Sequence, residues 1–339
     1  MADAYTKYPH YVPIVKWQSW ERRGLKEITA TVAARVMPCV EVRDSAQHAS
    51  MVAEFAATWP HPGLVDYSNP QGQLTSVRLG ELQQFLKLAK GSAAFASPVL
   101  GISSVASAFP AISKYLAGRP VTLRSRLQDL ANTADQLSLI AKALETPGLS
   151  AAANRLILDL GPTPAVSPAQ LKVLSDALGK IRALGFQHLH LASGAFPESL
   201  QAIEGAGEVP RKDWQLWERV AADKPTTLVG FADYGPLTPT WTEETLTRRG
   251  GRSILRYTLE DKWRIIRATS NKTSDSIAIS ELMVNLYSGE FRKRPFSFGD
   301  ALIADRADPT VPLKDKKCGH YHIAEFWNHH ITFVVKEQY

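Results

Sequence analysis

Short apolar, β-rich runs recur along the first two thirds of the chain, separated by longer amphipathic or polar segments. Eight runs stand out: residues 12 to 17 (VPIVKW), 35 to 42 (RVMPCVEV), 63 to 67 (GLVDY), 97 to 103 (SPVLGIS), 121 to 126 (VTLRSR), 155 to 161 (RLILDLG), 186 to 193 (FQHLHLAS) and 227 to 234 (TLVGFADY). Several are apolar at successive positions, as strands covered on both faces are. Parallel neighbours need a crossover of a dozen or more residues, and the intervening segments are of that size. These segments carry helical spacing, for example Leu79, Leu82, Phe85 and Leu86, or Leu171, Leu174, Leu178 and Ile181. Asp44 or Ser45 is placed to cap the second helix. Ser167-Pro168 opens the helix that Gly185 closes.

Eight βα units in about 230 residues predict a (β/α)8 barrel of the TIM-barrel type over residues 1 to 239. A doubly wound open sheet is the alternative, but the first strand-to-helix turn, Lys16 to Glu21, has no glycine fingerprint for a dinucleotide. After Tyr234 the rhythm changes, and residues 240 to 339 read as an α+β elaboration packed on the barrel within the same globular unit. It is expected to hold a hairpin (253 to 258 and 262 to 268), helices from Ser274 to Leu286 and from Phe298 to Ala307, and a last strand at 330 to 335 (HITFVV).

Composition narrows the class. With 339 residues, 45% of them hydrophobic, the chain can bury a full core. Two cysteines, Cys39 and Cys318, stand in no metal or redox spacing and suit a reducing cytoplasm. The N-terminal stretch has no basic and apolar regions of a signal peptide, and no run reads as a membrane span, so a cytoplasmic protein without membrane contact is expected. The net charge is +6, and between Leu246 and Arg294 eleven Lys or Arg face five Asp or Glu, so the whole surplus lies in the elaboration. Arg256-Tyr257 and Trp263-Arg264 interleave cations with aromatics there, a pattern that serves nucleic acid as well as core packing.

The candidate chemistry is positional. Six of the eight strands carry an ionisable residue at or near their C-terminal ends: Lys16, Glu41, Asp66, Arg124 with Arg126, Asp159 and Asp233. Chance alone supplies a charge at roughly half of strand ends, but these strands are otherwise nearly free of charge. In a barrel those ends form the active-site face. Glu41, Asp66, Asp159 and Asp233 are candidates for acid–base work beside Lys16, or for holding Mg²⁺ or Mn²⁺ through oxygen ligands. Arg124 and Arg126 are candidates for gripping a phosphate or carboxylate. The turn Ser193-Gly194-Ala195-Phe196-Pro197, leading into a helix expected near Glu198, lies where barrels bind phosphate. Tyr234, Arg256, His329 and His330 complete the ligand-binding candidates. His188 and His190 share a strand face and are expected to pack. Cys318, His320 and His322 fit no zinc template. The chain lacks GxxxxGK[ST], HExxH, GxSxG and CxxC, which leaves P-loop, zincin and α/β-hydrolase readings unsupported.

The stretches Tyr11-Val-Pro-Ile-Val-Lys16-Trp with Glu21 and Leu25, Pro38-Cys-Val-Glu41-Val, Leu158-Asp159-Leu-Gly161, Ser193-Gly-Ala-Phe196-Pro197 and Asp233-Tyr234 resemble the beta-protein family of bacteria and phages. Leu255-Arg256-Tyr257-Thr, Phe298-Gly299-Asp300 and Asn328-His329-His330 extend the resemblance over most of the chain. It implies a setting near mobile elements and phage–host conflict, as defence or counter-defence, and assigns no reaction. Cys318 to Trp327, His188 and His190 are particular to this chain. The expectation is a barrel enzyme, a hydrolase or lyase acting on a nucleotide or nucleic acid at the mouth. The alternative is a non-catalytic sensor or subunit that binds a partner protein of a defence system.

Overall fold

The computed structural model describes residues 8–42, 48–69, 72–90, 92, 95–240, 251–319 and 321–339. Eight parallel strands close a barrel: β1 (Val12–Lys16), β2 (Cys39–Glu41), β3 (Gly63–Asp66), β4 (Ala96–Gly101), β5 (Thr122–Arg126), β6 (Arg155–Pro162), β7 (His188–Gly194) and β9 (Gly230–Asp233), with β9 pairing back to β1. Each of the eight predicted runs contributes one strand. Around them lie α1 (Ser19–Lys26), α2 (Ala30–Ala33), α3 (His48–Thr58), α4 (Ser76–Ala89), α5 (Val105–Ile112), α6 (Thr133–Ala143), α7 (Pro168–Ala183) and α8 (Lys212–Asp223). At α7 the Ser167 hydroxyl accepts from the Gln170 amide, with Pro168 at the first helical position, as the sequence predicts. Asp44 and Ser45 lie outside the described residues.

Alternation along each strand divides the side chains between two cores. Val12, Ile14, Cys39, Leu64, Val99, Ile157, Ala192 and Ala232 fill the barrel interior. Val15, Val40, Val65, Leu100, Leu123, Leu189 and Phe231 face the helices. One histidine closes the interior at the N-terminal end: His190 donates through its Nε2–H to the His10 carbonyl at 2.9 Å, and a Cβ at Gly230 would lie 2.5 Å from its ring. Burial pushes His190 down to about 3, so it packs as a neutral ring, as expected.

The elaboration departs from the sequence reading in three places. β8 (Ala206–Pro210), unforeseen, joins the predicted hairpin β10 (Ile254–Thr258) and β11 (Lys262–Arg267) in an antiparallel sheet of order β10-β11-β8. No helix starts near Glu198; residues 195 to 205 are irregular and lead into β8. The expected last strand at 330 to 335 is instead helix, part of α11 (Tyr321–Phe333) and the wider turns that follow. Its β-branched and aromatic run suits a strand, but α11 is wedged between α1, β10 and α10 (Phe298–Ala307), so nearly every face is buried and no amphipathic period shows. The predicted helix near Ser274 forms as α9 (Thr273–Glu281) with a wide-turn extension to Leu286.

Candidate functional site

Arg124 sits at the centre of the C-terminal end of the barrel, 2% exposed, with its side chain turned inward. Its Nε donates to Asp159 Oδ2 at 2.9 Å, NH1 to Asp66 Oδ2 at 2.6 Å and Glu41 Oε1 at 3.1 Å, and NH2 to the Tyr234 hydroxyl at 2.6 Å. The Tyr234 hydroxyl in turn donates to Asp159 Oδ2 at 2.8 Å. The second oxygens of Asp66 and Asp159 accept the Ser68 and Gly161 amides at 2.8 and 2.9 Å. β1, β2 and β3 place Lys16, Glu41 and Asp66 in register, and β5 with β6 pairs Arg126 with Asp159. The sequence-predicted ring therefore assembles from Lys16, Glu41, Asp66, Arg124, Arg126 and Asp159, with Tyr234 as its neutral member.

Burial by itself would raise the Asp66 and Asp159 carboxyls. The Arg124 guanidinium, helped by Arg126, outweighs it and holds both below the usual carboxylate range. Burial keeps the Tyr234 phenol and the Cys39 thiol beneath it protonated. Arg124 thus occupies the point on which the carboxylates converge, where the sequence reading put a Mg²⁺ or Mn²⁺ ion or a bound phosphate. Among the described residues no three His, Cys, Asp or Glu side chains stand in a metal-holding arrangement. The cation that the carboxylates serve is part of the chain.

Arg126 is different. Two residues on and on the same strand face, it lies half-buried against Gly72 of the loop after β3, close enough to lower Asp66 and Asp159, and pairs with no carboxylate among the described residues.

Two of the predicted mouth residues point elsewhere. Asp233 and Ser193 are register partners on β9 and β7, and both fall on the outward face, because they are one residue out of step with the inward Tyr234 and Gly194. Asp233 accepts the Tyr11 hydroxyl at 2.6 Å and contacts His330 Nε2 at 2.9 Å, and His330 Nδ1 meets the Thr258 hydroxyl at 2.9 Å. Burial lowers His330, leaving a neutral ring that donates to Asp233 and accepts from Thr258. His329 contacts Asp300 Oδ2 at 2.8 Å and the Thr258 carbonyl at 2.9 Å, stacked on Tyr257, whose hydroxyl donates to Asp300 Oδ1 at 2.6 Å. All members of this knot are at most 1% exposed, and through it His329 and His330 fasten α11 to the barrel and to β10. Tyr11, Thr258 and Asp300 are not site candidates by the strand-end argument, although all three fall within the stretches that carry the family resemblance.

Arg256 lies beside the mouth. Its guanidinium is sandwiched between Phe196 and Phe326, 4.9 and 5.1 Å from the ring centres, and NH1 donates to the Pro236 carbonyl at 2.9 Å. Burial pulls it down to about 10. Four of the eleven cations of the basic stretch around it are paired with acids, several from outside that stretch: Lys262 and Arg264 with Glu208 and Glu290, Arg292 with Glu337, and Arg294 with Asp305. These pairs brace the sheet and the last helices, and Trp263 and Tyr257 are buried in the core. Arg248 and Arg249 lie outside the described residues. No helix among the described residues is long and apolar enough to cross a membrane.

Thirteen solved chains resemble this one, among them the following two. A putative lyase/mutase from Burkholderia cenocepacia J2315 aligns at 14% identity and a TM-score of 0.36, over 68% of this chain and 78% of that one. Triosephosphate isomerase from Bartonella henselae aligns at 12% identity and a TM-score of 0.38, over 66% of this chain and 91% of that one. A search of curated proteins finds no match. The profile described as Beta protein matches residues 11–336, which include every member of both polar clusters, and the chain therefore belongs to the Beta protein family.

Proposed function

We propose that the protein is a barrel enzyme that takes a phosphate-bearing ligand, a nucleotide or nucleic acid, at the C-terminal mouth and hydrolyses or cleaves it there. The observation that carries this reading is Arg126, a guanidinium at the mouth with no carboxylate partner among the described residues, directly above a rigid polar floor. Its planar donors suit a phosphoryl group. Within the floor Glu41 is the best-placed base: at 3.1 Å its Arg124 contact is the longest of the three, and at 6% exposed it is the least buried carboxylate. In the hydrolytic case Glu41 takes a proton from the attacking water as the phosphorus–oxygen bond breaks, and that proton then passes to the leaving oxygen.

One observation favours a second reading, a sensor that binds without turnover. The donors of Arg124 and the oxygens of Asp66 and Asp159 are all engaged, so most of the floor is already satisfied. The family's setting in phage–host conflict accommodates either reading.

The purified chain should be assayed against phosphomonoesters, phosphodiesters and nucleoside triphosphates, with pyrophosphate binding followed by calorimetry. Arg126→Ala should weaken pyrophosphate about tenfold. Glu41→Gln should cut turnover about 100-fold or more while binding persists. Binding without turnover of any of these substrates selects the sensor, and pyrophosphate affinity unmoved by Arg126→Ala removes the anion reading.

A further inference from the structure

Arg124, Arg264, Arg292, Arg294 and Arg306 each meet at least one carboxylate. Arg256 meets none among the described residues, although it is half-buried and partly desolvated by the rings on either side. A desolvated cation without a counter-charge is costly, and such groups mark places where an anion completes the structure.

The free edge of the group is informative. NH1 is committed to the Pro236 carbonyl, while Nε is buried without an acceptor and NH2 makes no hydrogen bond among the described residues. Nε–H and NH2 form the side-on fork that grips two oxygens of a phosphoryl or carboxylate group. The position is equally specific. Phe196 follows β7 and Pro236 follows β9, the seventh and eighth strands of the barrel, and the loops after those two strands are where barrels commonly hold phosphate. Here the expected helix near Glu198 is absent, so no helix N-terminus serves that corner, and β10 delivers an arginine to it.

We infer that Arg256 is a second anion contact of the mouth, and that the ligand carries two separated anionic groups, one on Arg126 and one on the Nε/NH2 edge of Arg256. The inference rests on the reading of the mouth as an anion site and adds the ligand's class: a bisphosphorylated molecule or two phosphates of one nucleic-acid strand. Arg126 ends β5, and Arg256 is tied by NH1 to the Pro236 carbonyl just after β9, three strands further round the barrel, which puts the two groups on the order of 10 Å from each other.

Fructose 1,6-bisphosphate and fructose 6-phosphate differ only in a second phosphate at a comparable reach, and serve as calorimetric probes on the full chain. The wild type should bind the bisphosphate at least about tenfold more tightly than the monophosphate. Arg256→Met keeps an apolar stem between Phe196 and Phe326, and should erase that preference while leaving monophosphate affinity and melting temperature in place. Arg256→Lys should restore part of it. A preference that survives in Arg256→Met overturns the inference and leaves the mouth reading standing. Monophosphate affinity unchanged by Arg126→Ala, or no binding of either probe to the wild type, overturns the mouth reading itself.

Discussion

Two buried polar clusters among the described residues are of similar make-up, one inside the end of the barrel and one between the barrel and α11. Both combine carboxylates with a tyrosine and nitrogen donors, and both are nearly inaccessible. They differ in what surrounds them. Around the knot, Tyr11, Asp233, His330, Thr258, His329, Asp300 and Tyr257 bond one another and pack against Phe231, Phe296 and Phe333, with the buried pair of opposite charges Arg211 and Asp213 close enough to act on Asp233. Around the mouth, the floor is just as satisfied, yet Arg126 and Arg256 stand over it without carboxylates among the described residues. A cluster that closes on itself fastens elements together. One that leaves cations over its rim is what the proposed anion site requires.

The largest test of this contrast is Arg124→Met. Three carboxylates would lose the cation they all bond, and breaking a buried ion cluster on one side costs about 3–5 kcal/mol. Urea denaturation should record that loss, and a change under ~1 kcal/mol would mean the cluster is far wetter than its burial implies. Next comes Asp233→Asn, which leaves Tyr11 or His330 without its acceptor at a cost of about 2–3 kcal/mol. It should leave pyrophosphate binding untouched, and a binding defect would dissolve the distinction between knot and mouth. Acid offers a third test. The folded value of His190 is pushed below its ordinary value, so its stabilisation is complete above pH ~6.5 and is lost as the pH falls; about 2 kcal/mol should go between pH 7 and pH 5. His190→Met should flatten that slope in a thermal melt without altering ligand affinity. The smallest effect belongs to the braced surface: Arg292→Ala removes an exposed pair with Glu337 and should cost under ~1 kcal/mol.

Much of this was legible in the sequence, for physical reasons. Barrel strands are buried on both faces, so they announce themselves as unbroken apolar runs, and a charge at the end of such a run must be exceptional. That logic located Lys16, Glu41, Asp66, Arg124, Arg126 and Asp159. It failed for Asp233 and Ser193 because an apolar run conceals its own alternation: when both faces are greasy, the pattern does not say which side the last residue takes. β8 escaped notice because Ala206–Pro210 lies at a sheet edge with three of its five residues exposed, and so carries no burial signature. α11 was misread for the opposite reason, burial on nearly all sides. The basic stretch was counted correctly, but counting within one window could not see Glu208, Asp305 and Glu337 arriving from outside it.

Asp233 and Tyr234 are neighbours in the chain, yet one belongs to the knot and the other to the mouth. A one-residue insertion or deletion anywhere in β9 would exchange them, turning a carboxylate toward Arg124 and a phenol toward His330. The eighth strand should therefore bear a change of length worse than a change of its apolar residues, and its pairing with β1 becomes the ruler by which variants of this barrel keep their two interiors apart.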